Sequence, residues 1–252
     1  MPNYRFNNSS ARIYNKIRGF SEQDGNWILK WKPVCGSTQI ELRNWIKVKP
    51  LSSNIFRAVI ARRQTFGHGQ KGRKWISSPG GIWVSVAIPV VKKDFSSEIF
   101  GLSLGVQICK LLKSHNINVE LKWPNDVFYK GKKLCGFLPK LITRGNTIIY
   151  ISLGLGINLN NSTLPYTISI SDILGRERVN ESYWTARVLR AICLSIEFAN
   201  DPLEVVKMAN KFLIRDLSIY KNIESDWNIK GVNLDGGLII EKYNNQTKVL
   251  YY

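Results

Sequence analysis

The stretch Lys122-Trp123-Pro124-Asn125-Asp126 is the most specific segment of the chain, and it ends a predicted strand. We expect residues 119–123 to be extended, because Pro124 drives the preceding Trp123 away from helical geometry. Asn125 and Asp126 then follow at the tip of the strand, where a carboxylate beside cations can act as a base or bind a hydroxyl group. A plain Asn-Asp turn is the competing interpretation.

Further strands are predicted on both sides of this stretch. Runs rich in β-branched and aromatic residues predict strands at 27–34, 54–63, 82–88, 127–129 and 134–142. The run 147–159 is apolar on both faces, which is typical of a central strand. A short β segment is expected at 229–252, with a turn at 235–237.

Helical spacing of apolar residues, together with cap signals, predicts helices at 39–46, 96–115, 182–199 and 202–216. Ser37 or Thr38 is expected to cap the first of them. Because the strands of the first half do not alternate regularly with helices, we expect an α+β fold with a mixed β-sheet flanked by helices.

The length of 252 residues fits one large domain, or one domain with a small appendage. We divide the chain into a polar lead-in at 1–26, a main domain at 27–216 and an abbreviated C-terminal β segment at 217–252. Hydrophobic residues make up 44% of the chain, which excludes global disorder. No run approaches the roughly 20 apolar residues of a membrane span, and no signal-peptide-like run opens the chain, so a cytoplasmic protein is expected.

The net charge of +18 admits three interpretations. A nucleic-acid-binding protein would carry such a charge. A protein that handles nucleotides or acidic partners would gain association rate from it. The third interpretation is a compositional bias toward Lys, Asn and Ile, which the even spread of the cations along the chain supports.

The cysteines and histidines predict no metal site. Cys35, Cys109, Cys135 and Cys193 are far apart, and no Cys-x-x-Cys pair occurs. The two histidines complete no zinc-ligand spacing. We therefore expect free thiols in a reducing compartment.

The loop Gly67-His-Gly-Gln-Lys-Gly-Arg73 has the spacing G-x-G-x-x-G but opens no helix, so it is not a dinucleotide-binding turn. Its glycines permit close backbone approach, and its amides can form an anion-binding nest. Lys71, Arg73 and Lys74 add charge suited to a phosphate. A solvated surface loop is the alternative.

Two further segments could carry chemistry. Lys133, just before an apolar strand, could direct its ammonium at a carboxylate or phosphate, although an exposed hairpin lysine is more common. The small residues of 154–156 could leave room for a flat ligand whose polar edge Asn158 would read. A bulge or a tight packing site would explain the same glycines.

In this order the segments resemble the catalytic domain of the biotin–protein ligases over about residues 30–160. The matching segments are Ser37-Thr38, Gln64 with the loop 67–73 and Trp75, Lys122–Asp126, Lys133 with Gly136, and Gly156-Ile157-Asn158. The resemblance implies a class II synthetase-like sheet. It also implies an ATP-dependent enzyme that forms biotinyl-5′-adenylate and passes biotin to a lysine. The implied acceptor is the biotin carboxyl carrier protein of acetyl-CoA carboxylase, and Mg²⁺ is expected with ATP.

By resemblance, the catalytic residues are Lys133, Asp126 and Arg73, with Asp126 the candidate base for the incoming lysine. The residues implied for biotin are Ser37, Thr38, Gln39, Gln64, Gly67, His68, Gly69, Gln70, Lys133 and Gly136. Those implied for the adenine nucleotide are Arg73, Trp75, Lys122, Asn125 and Asn158. Elementary chemistry agrees, since a carboxylate that attacks a triphosphate needs cations to offset the repulsion.

Several positions depart from the family pattern. His68 and Gln70 stand where the family loop usually has arginines, and Gln39 stands where it often has Asn. Pro139-Lys140 lies where an acidic residue is common. Because charge-assisted bonds are worth about 1.5–3 kcal/mol, we expect weaker retention of the adenylate.

Three alternatives stay open. The fold would also suit a lipoate or octanoate ligase or transferase. A biotin-binding protein that has lost catalysis would explain His68 and Gln70. A nonspecific nucleic-acid binder would explain the charge. Nothing near the N-terminus resembles the helix-turn-helix of some family members, so no repressor function, specific DNA binding or membrane association is expected. The sequence makes no prediction of oligomeric state.

Overall fold

A seven-stranded mixed sheet forms the centre of the molecule. The computed structural model describes residues 10–18, 26–52, 54–89, 96–145, 147–161, 164–220, 223–244 and 246–251. The strands of this sheet are β1 (Asn26–Lys32), β2 (Ile55–Ala61), β3 (Ile82–Pro89), β4 (Glu120–Lys122), β5 (Asp126–Tyr129), β6 (Lys132–Arg144) and β7 (Thr147–Ile157). Their order is β1-β2-β3-β7-β6-β5-β4, with β1 and β2 parallel and the other neighbours antiparallel. The predicted fold class is confirmed, and the apolar run at 147–159 supplies the central strand β7.

Helices cover both faces of this sheet. They are α1 (Ser10–Arg18), α2 (Thr38–Val48), α3 (Ser97–Lys113), α4 (Ile170–Leu174), α5 (Glu181–Phe198) and α6 (Pro202–Phe212). Side chains of Ser96, Asn180 and Asp201 cap α3, α5 and α6 by accepting a backbone N–H three residues further on. These caps explain why the three helices begin within two residues of their predicted starts.

Ser37, one of the two residues predicted to cap α2, is confirmed as its N-cap residue. Its side chain accepts no capping hydrogen bond, and its carbonyl accepts from Glu41 N–H at 3.0 Å. The hydroxyl of Thr38 is engaged instead with Gln64 and Ser85, away from the helix. The Thr38 side chain therefore does not cap the helix.

Two apolar clusters lie on opposite faces of the sheet. The larger one joins Val86 and Leu153 to the inner sides of α3 and α5. The smaller one packs Leu42 of α2 against Val59 and Ala87. Val86 and Ala87 are adjacent in β3, so they point to opposite faces. Since α2 covers only part of its face, the neighbouring part of the same face carries the candidate site.

The segment after α6 differs from the prediction. The helix ends at Phe212 rather than at residue 216, because Leu213 forms a bridge with Leu121 and Ile214 N–H donates to Leu121 O at 2.9 Å. The short helix α4 was not predicted, since its 5 residues are too few to show a helical period. It is held by the capping box of Ser169 and Asp172.

The C-terminal β segment is an antiparallel sheet of β8 (Trp227–Val232), β9 (Leu238–Lys242) and β10 (Thr247–Leu250), in the order β10-β9-β8. Its buried Ile229, Leu238 and Ile240 belong to the main apolar cluster, so this sheet packs against the rest of the molecule. Of the predicted lead-in, only α1 and Asn26 are described, and 1–9 and 19–25 lie outside the described residues. Within the described ranges, no helix combines the length and apolar character needed to cross a membrane.

Candidate active site

A row of paired residues crosses the uncovered part of the sheet face. Trp83 pairs with Gly156, Gly156 with Gly136, and Gly136 with Asp126. Residues opposite one another in antiparallel strands point to the same face, so the four side-chain positions form a continuous line. The two central positions carry no side chain, which leaves a shallow floor between Trp83 and Asp126.

The indole ring of Trp75 lies on this floor. A Cβ atom added at Gly136 would stand 3.1 Å from the ring, and one added at Gly156 would stand 2.7 Å from Trp75 Nε1. Trp75 Nε1 is buried and has no hydrogen-bond partner among the residues that the structure describes. The ring also meets Trp83 edge-on, with centroids 6.4 Å apart. The place where the sequence predicts a flat ligand is therefore occupied by Trp75, which such a ligand must stack on or displace.

A β-bulge directs Lys133 to the same face. The pairing of β5 with β6 shifts register between Val127 and Phe128, which leaves Leu134 as an extra residue in β6. In a regular strand, Lys133 and Gly136 would point to opposite faces because they are three positions apart. The extra residue turns Lys133 onto the face of Gly136.

Lys133 and Asp126 form an ion pair at the end of the glycine floor. Lys133 Nζ lies 2.7 Å from Asp126 Oδ1, and the two side chains are 25% and 14% exposed. The ammonium also lies 4.8 Å from the ring centroid of Trp75. The site thus holds a carboxylate able to accept a proton and a cation able to bind an anion, and the two groups balance each other's charge.

A group of polar side chains lies beyond the other end of the floor. Gln64 Oε1 accepts from Thr38 N at 2.8 Å and from Thr38 Oγ1 at 3.0 Å. Gln64 Nε2 donates to Ser77 Oγ at 2.8 Å, and the Thr38 and Ser85 hydroxyls are 2.8 Å apart. Ser37 is buried beside Thr38. These groups form a polar wall that can hydrogen-bond the polar head of a ligand.

Gln39 connects this wall to the glycine-rich loop. Its side chain lies across Gly154, where an added Cβ would be in the space of the amide group. Its Oε1 is 3.2 Å from His68 Nε2. The two residues that depart from the family pattern at these positions are therefore in contact with each other.

The glycine-rich loop folds against the site and uses several of its own amides. Trp75 N–H donates to Gly67 O, Gly69 N–H to Arg73 O, and Arg73 N–H to Gln70 O. An added Cβ at Gly67 would stand 2.5 Å from Trp75 O, so this position requires glycine. The anion-binding nest expected from the sequence is thus partly closed by internal hydrogen bonds.

Gln70 joins the loop to the segment after β4. Its Nε2 donates to Asn125 Oδ1 at 2.8 Å, and its Oε1 accepts from Arg73 Nη2 at 3.2 Å. Asn125 is buried and donates through Nδ2 to Phe137 O. Gln70 therefore brings together Asn125 and Arg73, two of the residues that the resemblance implies for the nucleotide.

Asn158 and Lys122, which the resemblance implies for the nucleotide, contact other parts of the fold. Asn158 is buried and its Oδ1 accepts from Asn161 Nδ2 at 3.0 Å, so its polar edge is partly used within the fold. The Lys122 ammonium lies over the rings of Phe128 and Tyr220, 5.6 and 5.5 Å from their centroids. Lys122 is opposite Asp126 in the sheet but reaches toward the segment that precedes the C-terminal sheet.

Sequence reasoning missed the partners that hold these residues. Ser77 and Ser85 gave no signal, because a single serine in a loop or strand is uninformative. The segment 166–168 pairs with the backbone of Lys133, whose N–H donates to Tyr166 O and whose carbonyl accepts from Ile168 N–H. No local pattern in 164–168 could have indicated this pairing, since it depends on the end of β7.

One thiol lies beside the polar wall. Cys35 forms a bridge with Gln64 and is 7% exposed. Burial, followed by the negative charge of Glu41, raises the pKa of the Cys35 thiol to about 11. The thiol is therefore neutral at physiological pH.

The fold is similar to that of a known class of proteins. Residues 35–158 match the family described as Biotin/lipoate A/B protein ligase family.

Individual relatives are similarly named. The "Biotin--[acetyl-CoA-carboxylase] ligase" of Mycobacterium tuberculosis is 31% identical over 53% of this chain and 52% of the relative. The "Bifunctional ligase/repressor BirA" of Bacillus subtilis is 27% identical over 55% of this chain and 44% of the relative. The chain thus spans about half the length of these curated relatives. The solved biotin protein ligase of Aquifex aeolicus, in complex with biotin and ATP, has a TM-score of 0.71 at 24% identity, covering 90% of this chain and 96% of that chain. This structural likeness shows the fold.

Proposed function

We propose that this chain is an ATP-dependent biotin–protein ligase, of the kind named biotin–[acetyl-CoA-carboxylase] ligase. It would form biotinyl-5′-adenylate and transfer biotin to a lysine of a biotin carboxyl carrier protein. The observation that carries the proposal is the Lys133–Asp126 ion pair at the end of the glycine floor, with a polar wall beyond the other end. The names of the curated relatives support the same activity.

The polar wall favours biotin over an aliphatic acid. Thr38 and Gln64 are hydrogen-bonded to each other and to serines, so the wall is satisfied within the fold and contains both donors and acceptors. A ureido group also carries donors and acceptors, so biotin could exchange hydrogen bonds with Ser37, Thr38, Gln39 and Gln64. Octanoate and lipoate end in apolar groups that cannot make this exchange.

Adenylate formation needs positive charge at the floor. The biotin carboxylate attacks the α-phosphorus of ATP, a new C–O–P linkage forms, and pyrophosphate leaves. Both reactants are anionic, so Lys133 and Arg73 would offset their repulsion and the charge that develops on the phosphoryl oxygens. Entry of the nucleotide anion would exchange the Asp126 partner of Lys133 for a phosphate.

The transfer step needs a base. The amine of the acceptor lysine attacks the acyl carbon, the amide bond forms, and AMP leaves. That amine has a pKa near 10.4 in water and must lose a proton, which Asp126 would accept once Lys133 is engaged with phosphate. The loop 67–73 and Trp75 would exclude water, because the mixed anhydride hydrolyses readily.

Magnesium is expected to arrive with the nucleotide. Within the residues that the structure describes, no three acidic, histidine or cysteine side chains cluster to hold a metal. Mg²⁺ is commonly bound by one or two carboxylates together with substrate phosphates. MgATP, with the cation held by the nucleotide phosphates, is therefore the expected form of the substrate.

Net charge and thiol chemistry support the proposed acceptor and compartment. A chain of net charge +18 suits an acidic carrier domain, whose approach it would accelerate. The 4 cysteines are free, which suits the reducing cytoplasm where ATP is also abundant.

Incubation with labelled biotin, MgATP and a carrier domain tests the proposal. Mass analysis should find biotin on one carrier lysine, with pyrophosphate release that requires both biotin and ATP. Omission of ATP is the control. Absence of pyrophosphate release in the complete mixture would contradict the ligase activity and leave a biotin-binding protein.

The same assay separates the rival substrates. We expect lipoate and octanoate to give less than a tenth of the adenylate formed with biotin at equal concentration. A preference for either aliphatic acid would move the assignment to the lipoate branch of the family.

A further inference from the structure

The side chain of Trp123 points away from the glycine floor and reaches the C-terminal sheet. Trp123 Nε1 donates to the carbonyl of Gly236 at 2.8 Å. Its backbone N–H donates to Tyr220 Oη at 3.3 Å. Both contacts join the tip after β4 to residues about a hundred positions later in the chain. The turn after β4 is thus held in place by Tyr220 and Gly236.

Tyr220 is a fixed anchor for this tip. It is 7% exposed, and its hydroxyl donates to Ile214 O at 3.1 Å. Burial raises the pKa of Tyr220, so the hydroxyl stays protonated and keeps both hydrogen bonds. Ile214 in turn is bonded to Leu121 of β4. Tyr220 is therefore linked through Ile214 to β4, the strand that ends just before Trp123.

Gly236, whose carbonyl accepts the hydrogen bond from Trp123, has a constrained backbone. Its φ of +84° lies in the region that favours glycine, and an added Cβ would stand 2.7 Å from Glu98 Cβ. The turn between β8 and β9 is therefore pressed between the start of α3 and the Trp123 ring. Only glycine permits this close approach.

We propose that the C-terminal sheet positions Asn125 and Asp126 for the reaction through the Trp123–Gly236 hydrogen bond, which makes Trp123 a positioning residue. This inference rests on the proposed function. Residues 123–125 form a turn without a ladder of their own, so their placement depends on such anchors. Asn125 bonds to Gln70 of the loop, and Asp126 pairs with Lys133. Loosening Trp123 therefore disturbs both the base and the loop closure.

The variant Trp123→Phe tests the link, because it keeps an aromatic ring and removes the N–H donor. Turnover per biotin-binding site is expected to fall about tenfold or more, since small misplacements of reacting groups are costly. The Kd for biotin should change by a smaller factor than the turnover, because Thr38 and Gln64 lie on other segments and only the loop side of the biotin site contacts Asn125. Gly236→Ala, which strains the turn against Glu98 and so displaces the acceptor carbonyl, should give the same pattern. Leu234→Ala, at an exposed position of the same turn, is the matched control and should behave as the unaltered protein.

Hydrogen exchange supplies a readout that needs no activity. Amides in 120–129 should exchange about tenfold faster in Trp123→Phe and Gly236→Ala, while those in 150–157 keep their protection. Absence of biotinylation by the unaltered protein would overturn the proposed function, and the exchange data would then decide the anchoring alone. Unchanged exchange at 120–129 in Trp123→Phe and Gly236→Ala overturns the inference. Faster exchange with unchanged turnover per binding site also overturns it. A third contradicting result is a number of biotin-binding sites that falls in proportion to turnover.

Discussion

Lys133 Nζ lies 2.7 Å from Asp126 Oδ1 because one extra residue, Leu134, turns the lysine onto the face of the carboxylate. Without this bulge the two side chains would lie on opposite sides of the sheet. Lys133 is the cation expected for adenylation, and Asp126 is the base expected for transfer. A substitution at each residue therefore tests one step.

Lys133→Met is expected to lower biotin- and ATP-dependent pyrophosphate release by about 100-fold or more, because the charge that offsets phosphate repulsion is lost. Lys132→Met, at the exposed neighbouring position, is the matched control and should retain activity. Equal rates for the two variants would show that Lys133 does not act in adenylation.

Asp126→Asn is expected to slow biotin transfer from preformed adenylate to a carrier domain by about 100-fold, within the range that general bases contribute. Pyrophosphate release in the first turnover should be affected less, since no amine is deprotonated in that step. Single-turnover mixing measures both steps. Transfer at the unaltered rate would remove Asp126 from the role of base.

Gln70→Arg is expected to slow dissociation of the adenylate by about tenfold or more, because a charge-assisted bond replaces a neutral one. In the unaltered protein Gln70 binds the neutral amide of Asn125 instead. Filter-binding of labelled adenylate gives the rate. Lys71→Arg, at an exposed position of the same loop, controls for added guanidinium groups, and an equal rate for Gln70→Arg and the unaltered protein would refute the expectation.

Gly156→Ala is expected to displace Trp75 from the floor, because the new Cβ would stand 2.7 Å from Nε1. Overpacking of this kind costs about 1–3 kcal/mol in the free energy of unfolding. Urea unfolding checks the cost, and the KM for ATP should rise with it. Gly101→Ala, where the nearest atom is 3.6 Å away, should not destabilise the protein. Equal free energies of unfolding for Gly156→Ala and Gly101→Ala would show that the indole of Trp75 does not depend on the space above Gly156.

Alkylation of Cys35 by iodoacetamide should accelerate about tenfold per pH unit from pH 7 to 10, because its pKa of about 11 keeps the thiolate a minor species throughout this range. The raised pKa favours the neutral thiol, so the reactive form grows only as pH rises. Mass mapping of the labelled peptide follows the rate, with Cys35→Ser as the control. A plateau below pH 9 would contradict the raised pKa.

Much of the fold followed from local pattern. The apolar run 147–159 gave β7 its central place, since only a strand covered on both faces can be apolar on both. Helix α3 was predicted within two residues at each end because its apolar spacing and its Ser96 cap are local signals. Helix α6 was predicted too long, because a tertiary pairing of Leu213 with Leu121 outweighs helical propensity.

The sequence by itself determined the chemistry available to this protein. It supplied the order of the motifs, the glycines at 136 and 156, the charged Lys133 and Asp126, and the departures at His68 and Gln70. These are properties of residue type and spacing, which the linear chain carries in full.

Only the tertiary structure decided in which direction the side chains that carry this chemistry point. The bulge at Leu134 selects the face of Lys133, the paired glycines receive Trp75, and Gly236 meets Trp123 across the molecule. Each depends on strand register or on contacts between segments far apart in the chain. A shift of one residue in register reverses the direction of a side chain, and the shift at Leu134 is defined only by the pairing of β6 with β5.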